Sequence, residues 1–275
     1  MYLQCGKFRL SLSRPLIMGV VNITPDSFSD GGKSASTQAA LTHARALIDA
    51  GADIIDIGGE STRPGAGGVT LDEERRRVLP VLERLAGGTV PVSVDTQKPE
   101  LMREALAAGA AMINDINALL APGAVEAIAA SEAAVCLMHK KGAPADMQLD
   151  PHYDDVVAEV LEFLRERVRA TMAAGIAAER VVVDPGFGFG KTLAHNLELL
   201  RHLDRFGATG AIVLAGVSRK AMLGRITGRD VGERMPASIA AALIAVEKGA
   251  RIVRVHDVAA TRDALAVWCA VKQQD

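Results

Sequence analysis

Val181-Val182-Val183-Asp184-Pro185-Gly186-Phe187-Gly188-Phe189-Gly190-Lys191-Thr192 begins as a buried strand and breaks off at a carboxylate. Consecutive valines suit a strand covered on both faces, but such a strand has no structural need for Asp184. The same event recurs along the chain, where short apolar runs stop at Asn22, Asp56, Asp95, Asn114, His139, Ser218 and His256. Most intervals between stops leave room for a helix and a return to the same sheet edge, and the one from Asp95 to Asn114 is just wide enough. This rhythm predicts an α/β fold, an eightfold parallel (β/α)8 barrel of the TIM type. Strands in such a barrel run the same way. The residues that end them therefore gather on one rim, and a scattered polar set becomes a single pocket.

The expected strands cover 17–21, 53–57, 91–94, 111–113, 133–138, 181–183, 211–214 and 252–255, and the expected helices 37–50, 71–85, 99–108, 122–130, 153–174, 236–248 and 259–271. Ahead of the barrel, residues 7–13 alternate apolar and polar, with Phe8, Leu10 and Leu12 on one side, so a short N-terminal strand or hairpin is expected at the barrel floor. Two loops on the predicted rim are too long for ordinary connections: 22–36, with Pro25, Gly31 and Gly32, and the GGESTRPGAGG stretch from Gly58. No linker interrupts the pattern, so residues 1–275 read as one domain.

Composition narrows the function. Aromatics are 3% of the chain and hydrophobic residues 49%, which suits a core of branched aliphatics. Lys and Arg number 31 against 33 Asp and Glu, too even for a nucleic-acid surface or a basic membrane footprint. Cys5, Cys136 and Cys269 form no CxxC pair and read as buried, reduced thiols. Arg and Ser interrupt the N-terminal stretch where a signal peptide needs apolar continuity, and no segment has the length of a membrane span. A cytoplasmic protein is expected.

In the glycine-rich segment, a phosphate-loop reading fails on spacing, because Pro185 occupies the position where GxxxxGK[ST] needs its first glycine. Glycines at alternate positions still imply a backbone bent closely around something, with Phe187 and Phe189 directed outward. A carboxylate ending an apolar strand needs a partner, and a planar ligand with adjacent N–H donors would satisfy Asp184. Asp95 and Asn114 end neighbouring strands, so the three together describe a slot for a nitrogen heterocycle. Singly, Asp95 could cap its own turn and Asn114 could brace the loop carrying Asp115.

Arg219, Lys220, Arg254 and His256 concentrate positive charge after the seventh and eighth strands, the usual phosphate corner of this fold. A short helix beginning near Ser218 would add free N–H groups. Arg219 could equally be a structural ion pair. Asn22 and Asp26 head the first long loop, and oxygen donors facing a basic phosphate site suggest Mg²⁺ bridging protein and substrate. No cluster has zinc spacing and no Ser/His/Asp set is recognisable, so the site reads as built for positioning and charge stabilisation.

MGVVNITPDSFSDGG, DIGGESTRPGA, VSVDT, IND, DPGFGFGK, SRK and RVHD, in this order from Met18 to Asp257, closely resemble the dihydropteroate synthase family of folate biosynthesis. The resemblance implies condensation of 6-hydroxymethyl-7,8-dihydropterin pyrophosphate with 4-aminobenzoate, with Mg²⁺, giving 7,8-dihydropteroate and pyrophosphate. It implies a pterin pocket of Asp95, Asn114, Asp184 and Lys220, and a pyrophosphate site of Asn22, Arg254 and His256 with Thr62 and Arg63. Asp26 and Phe28 would belong to a lid over the aminobenzoate site, with Pro64, Phe189 and Ser218 nearby. The family's tendency to form homodimers carries over as analogy. Where the family often reads Ser-Arg-Lys-Ser, Ala221 stands here, removing a hydroxyl expected near the aminobenzoate carboxylate. The alternatives are a pterin-binding, corrinoid-dependent methyltransferase, against which the SRK and RVHD cations argue, and a catalytically silent pterin-binding paralogue.

Overall fold

The structure is a computed structural model that describes residues 1–23, 32–61, 67–142 and 147–272, with the backbone alone for 32–35. An antiparallel hairpin of β1 (Tyr2–Cys5) and β2 (Phe8–Ser11) precedes β3 (Leu16–Asn22), α1 (Gly32–Asp49), β4 (Ile54–Gly58), α2 (Leu71–Leu85), β5 (Val92–Asp95) and α3 (Pro99–Ala107). Then follow β6 (Met112–Asp115), α4 (Ala124–Ala129), β7 (Ala134–Met138), α5 (Val156–Ala173), β8 (Val181–Asp184), α6 (Leu193–Arg201), β9 (Ile212–Ala215), α7 (Ala221–Thr227), α8 (Met235–Glu247), β10 (Ile252–Val255) and α9 (Val258–Lys272). Strands β3 to β10 pair in sequence order, all parallel, and β10 closes on β3 with Arg254 opposite Met18. The predicted eightfold barrel is the observed one.

Local chemistry starts the helices. Thr70 caps α2 by accepting from the Glu73 amide, and three acidic residues fill the first turn against the helix dipole. Asp155 caps α5 through the amides of Val157 and Ala158, so that helix begins three residues later than the expected 153. The capping box of Thr192 and His195 starts α6, a short helix absent from the sequence reading. At the N-terminus the expected strand or hairpin is a hairpin. The strand expected over 7–13 is one arm of a hairpin whose other arm, Tyr2–Cys5, is too short to show periodicity.

Strand alternation divides the barrel into an inside and an outside. Ile55, Ile57, Ile113, Val135, Val181, Val183 and Val253 join the layer between strands and helices. Their neighbours Met18, Ile54, Met112, Cys136, Val182, Leu214 and Ile252 form a separate cluster with Leu3, Cys5 and Leu12, so the hairpin plugs the floor. One inward step further up, two residues on from Ile54, Met112, Val182 and Ile252, stand Asp56, Asn114, Asp184 and Arg254. The lumen changes from apolar to polar within a single period. Among the described residues, no helix is long and apolar enough to cross a membrane.

Candidate active site

At the mouth of the barrel the side chains from four strands meet in one network. Arg254 on β10 donates from Nε to Asp56 Oδ2 at 2.6 Å and from Nη2 to Asp95 Oδ2 at 3.0 Å. Asn114 Nδ2 donates to the same Asp56 oxygen at 3.0 Å, leaving Asp56 Oδ1 without a hydrogen-bond partner among the described residues. Asp56 is fully buried. Burial works against the charge of Arg254, but Asp56 and Asp95 more than offset it and hold the guanidinium above its usual range. Burial raises the Asp95 carboxyl to about 7. Arg254 opposes that rise while Asp56, Glu74 and Asp115 add to it.

The structure thus gives Arg254, expected as a phosphate ligand, a second task. At the rim it pairs with carboxylates 198 and 159 residues away in sequence. Asp56, for which the sequence offered no role, is the hub of this network. Asn114 braces Asp56. The neighbouring Asp115 holds its own loop, accepting from the amides of Asn117 and Leu119 at 2.7 Å each. That turn passes through left-handed Ala118 and Leu119, whose carbonyls Arg167 bonds. Burial raises the Asp115 carboxyl to about 6, against the two amides that favour its charge.

Asp184 ends β8 nearly buried, and its Oδ1 accepts from the Gly186 amide at 2.7 Å. Burial raises its pKa against that amide and the charges of Lys220, Lys191 and Arg254. The turn that follows needs its glycines. Gly186, Gly188 and Gly190 all have positive φ, and a Cβ on Gly186 or Gly190 would lie 1.9 Å from the His139 carbonyl oxygen or 2.1 Å from that of Lys141. The outward direction expected for Phe187 and Phe189 is corrected. Phe187 lies in the core, and Phe189 is buried against Ile116, Met138 and Met147, with the Lys220 ammonium 4.3 Å from its ring centroid. Successive left-handed glycines break the alternation by which a strand turns one side chain in and the next out.

His139 is also accounted for. Its Nδ1 lies 3.0 Å from Lys191 Nζ, which further donates to the carbonyls of Gly186 and Phe189 at 2.9 and 3.0 Å. Burial lowers the imidazole to about 3, with Lys191 adding to the effect. Burial likewise lowers Lys191 to about 7, against Asp184. These residues stand behind the glycine turn and brace it.

Across the mouth, Ser218 Oγ is 3.0 Å from His256 Nδ1 and accepts from the His256 amide at 3.3 Å. Arg219 proves to be the structural ion pair, with Nη2 2.6 Å and Nε 3.1 Å from the two Asp257 oxygens. Its φ of 56° turns it away from regular backbone between Ser218 and Lys220. Ala221 opens α7 and is exposed, so the fold makes no demand on its side chain. Asn22 ends β3 half-buried on the same rim. One neutral oxygen fits only a hard cation that draws most of its shell from water and phosphate, and among the described residues no three His, Cys, Asp or Glu side chains form a cage. Asp26, Phe28, Thr62, Arg63 and Pro64 lie outside the described residues.

The pterin binding enzyme family matches residues 18–256. A dihydropteroate synthase of Neisseria meningitidis serogroup C is 54% identical over 270 residues, 96% of this chain and 95% of the relative. The Xanthomonas albilineans dihydropteroate synthase with 4-aminobenzoic acid superposes with a TM-score of 0.94 at 54% identity, covering 100% of this chain and 99% of the other. The same organism's enzyme in complex with 7,8-dihydropteroate gives 0.91 at 51%, covering both chains fully.

Proposed function

The chain belongs to the dihydropteroate synthases of the pterin binding enzyme family, and from that premise we propose how its rim performs the family's reaction. It is a transferase that joins 6-hydroxymethyl-7,8-dihydropterin pyrophosphate to 4-aminobenzoate, releasing 7,8-dihydropteroate and pyrophosphate. In this reading Asp95, Asn114, Asp184 and Lys220 take the heterocycle. Arg254, His256 and Asn22 face the pyrophosphate, joined by Thr62 and Arg63. Phe189, Ser218 and Pro64 flank the aminobenzoate under a lid containing Asp26 and Phe28.

The observation that carries this reading is the double ion pair of Arg254 with Asp56 and Asp95. It puts an anion-binding guanidinium in direct contact with a carboxylate of the heterocycle slot, so departing negative charge and developing positive charge are served at adjacent points. Arg254 stabilises the pyrophosphate oxygen, which takes the electron pair as the C–O bond to the pterin methylene breaks. Asp95 and Asp184 favour the electron-deficient pterin left behind. The arylamine nitrogen then forms the C–N bond and passes its proton to the released pyrophosphate or to water. Among the described residues no side chain stands as a covalent nucleophile, and preorganised charge of this kind is worth about 3 to 4 kcal/mol per group. Asn22 would hold Mg²⁺, which would add charge stabilisation on the pyrophosphate.

A homodimer accords with exposed apolar side chains on three successive α-helices, Ile226 on α7, Met235 and Ile244 on α8, and Val267 on α9. Sedimentation tests that assembly. A cytoplasmic location accords with three free cysteines, of which Cys5 and Cys136 are buried. The deciding experiment for the activity is pyrophosphate release. Over many turnovers it should require the pterin substrate and 4-aminobenzoate together, and equal steady-state release without the amine would overturn the reading.

A further inference from the structure

The glycine turn after β8 carries Asp184 at one end and Phe189 at the other, and its backbone is held from behind by four side chains. Lys191 Nζ gathers the Gly186 and Phe189 carbonyls at 2.9 and 3.0 Å and His139 Nδ1 at 3.0 Å, with the His139 carbonyl at 3.4 Å. Asn196 accepts from the Gly188 amide at 2.7 Å, Tyr153 donates to the Gly190 carbonyl at 2.9 Å, and Gln148 donates to the Gly188 carbonyl. Lys191 is 2% exposed, so water does not compete for its donors. An ammonium is costly to bury, and carbonyl oxygens from both ends of one turn offset that cost only while the turn keeps this shape. Removing the ammonium takes the side-chain donor from the buried Phe189 and Gly186 carbonyls and leaves the 3.2 Å bond from the Phe189 amide to the Gly186 carbonyl to hold the two ends of the turn together.

We propose that Lys191 is a positioning residue: its ammonium reinforces the tie of Phe189 to Gly186 and adds one to His139, the residue after β7, and so sets the Phe189 ring and the Asp184 carboxylate at a fixed spacing for the two substrates. This rests on the reading of Phe189 and Asp184 as substrate-facing. Lys191 itself touches neither substrate. Its effect reaches the reaction through the ring packed on Ile116, Met138 and Met147.

The test is a double-mutant cycle of Lys191→Met and Phe189→Leu in an enzyme first shown to release pyrophosphate only with both substrates. Each single variant is expected to raise the KM for 4-aminobenzoate about tenfold. The double variant should be no worse than the poorer single, because the lysine acts through the ring. Multiplied effects, or an unchanged KM in Lys191→Met, overturn the proposal. Should Lys191→Met not fold, His139→Gln removes one partner of the ammonium and enters the same cycle with the same criteria. A crystal structure of whichever lysine or histidine variant folds reads the turn directly, whatever the activity. Displacement of Phe189 from its apolar box supports the proposal, and an unmoved ring overturns it.

Discussion

The floor and the rim of this barrel are built by the same strands, two residues apart, and they solve opposite problems. At the floor, Leu3 and Cys5 of the hairpin seal a lumen of Met18, Ile54, Met112, Val182 and Ile252, where burial supplies stability without directional demands. At the rim, Asp56, Asp95 and Arg254 spend part of that stability on desolvated charge. Their pairing recovers much of the cost, and each carboxylate and guanidinium remains ready for a polar ligand. Folding and chemistry are thus separable by depth along one axis.

The sharpest way to break this division is Arg254→Ala. Turnover should fall by about a hundredfold or more, and the stranded Asp56 charge should cost about 3 to 5 kcal/mol. Pyrophosphate release and denaturant unfolding measure the two, and a variant with normal turnover would remove Arg254 from the chemistry. At the floor, Leu3→Ala should lower stability by about 2 to 5 kcal/mol while kcat and KM, measured below its melting temperature, stay within about twofold of wild type. A large change in KM there would show that floor and rim are coupled.

The bracing layer of the rim should show in acid. His139 titrates near 6.5 in the unfolded chain and near 3 in the folded one. The unfolded state therefore binds more protons between those values. The stability contribution of neutral His139 is complete above about pH 6.5 and is lost as pH falls toward 3. Asp95, raised to about 7, acts in the opposite direction in that window. The expected signal is therefore a shallower acid slope in His139→Gln than in wild type, read from unfolding at several pH values, and identical slopes would contradict it. The smallest effect belongs to Ala221→Ser. A restored hydroxyl at the exposed start of α7 should lower the KM for 4-aminobenzoate about two- to tenfold without changing the melting temperature.

Much of this division is legible in the linear chain. Apolar runs that stop at Asp56, Asp95, Asn114 and Asp184 announce strands whose upper ends leave the core, because nothing in strand packing selects a carboxylate there. The short elements escape notice. Strand β1 offers four residues and α6 depends on one capping box, too little for periodicity to register. The outward reading of Phe189 fails because side-chain direction in a turn of left-handed glycines follows local φ, and strand alternation no longer applies.

By itself the sequence determined the barrel, the rim and the residue types gathered there, since strand and helix periods and the polar stops are local properties of the chain. Only the tertiary structure decided who pairs with whom. Arg254 finds Asp56 and Asp95 through barrel closure, Lys191 finds His139 across two strands, and Arg219 turns to Asp257 instead of the mouth. Charges buried side by side choose partners by distance in a low-dielectric interior, and that distance exists only once the last strand has met the first.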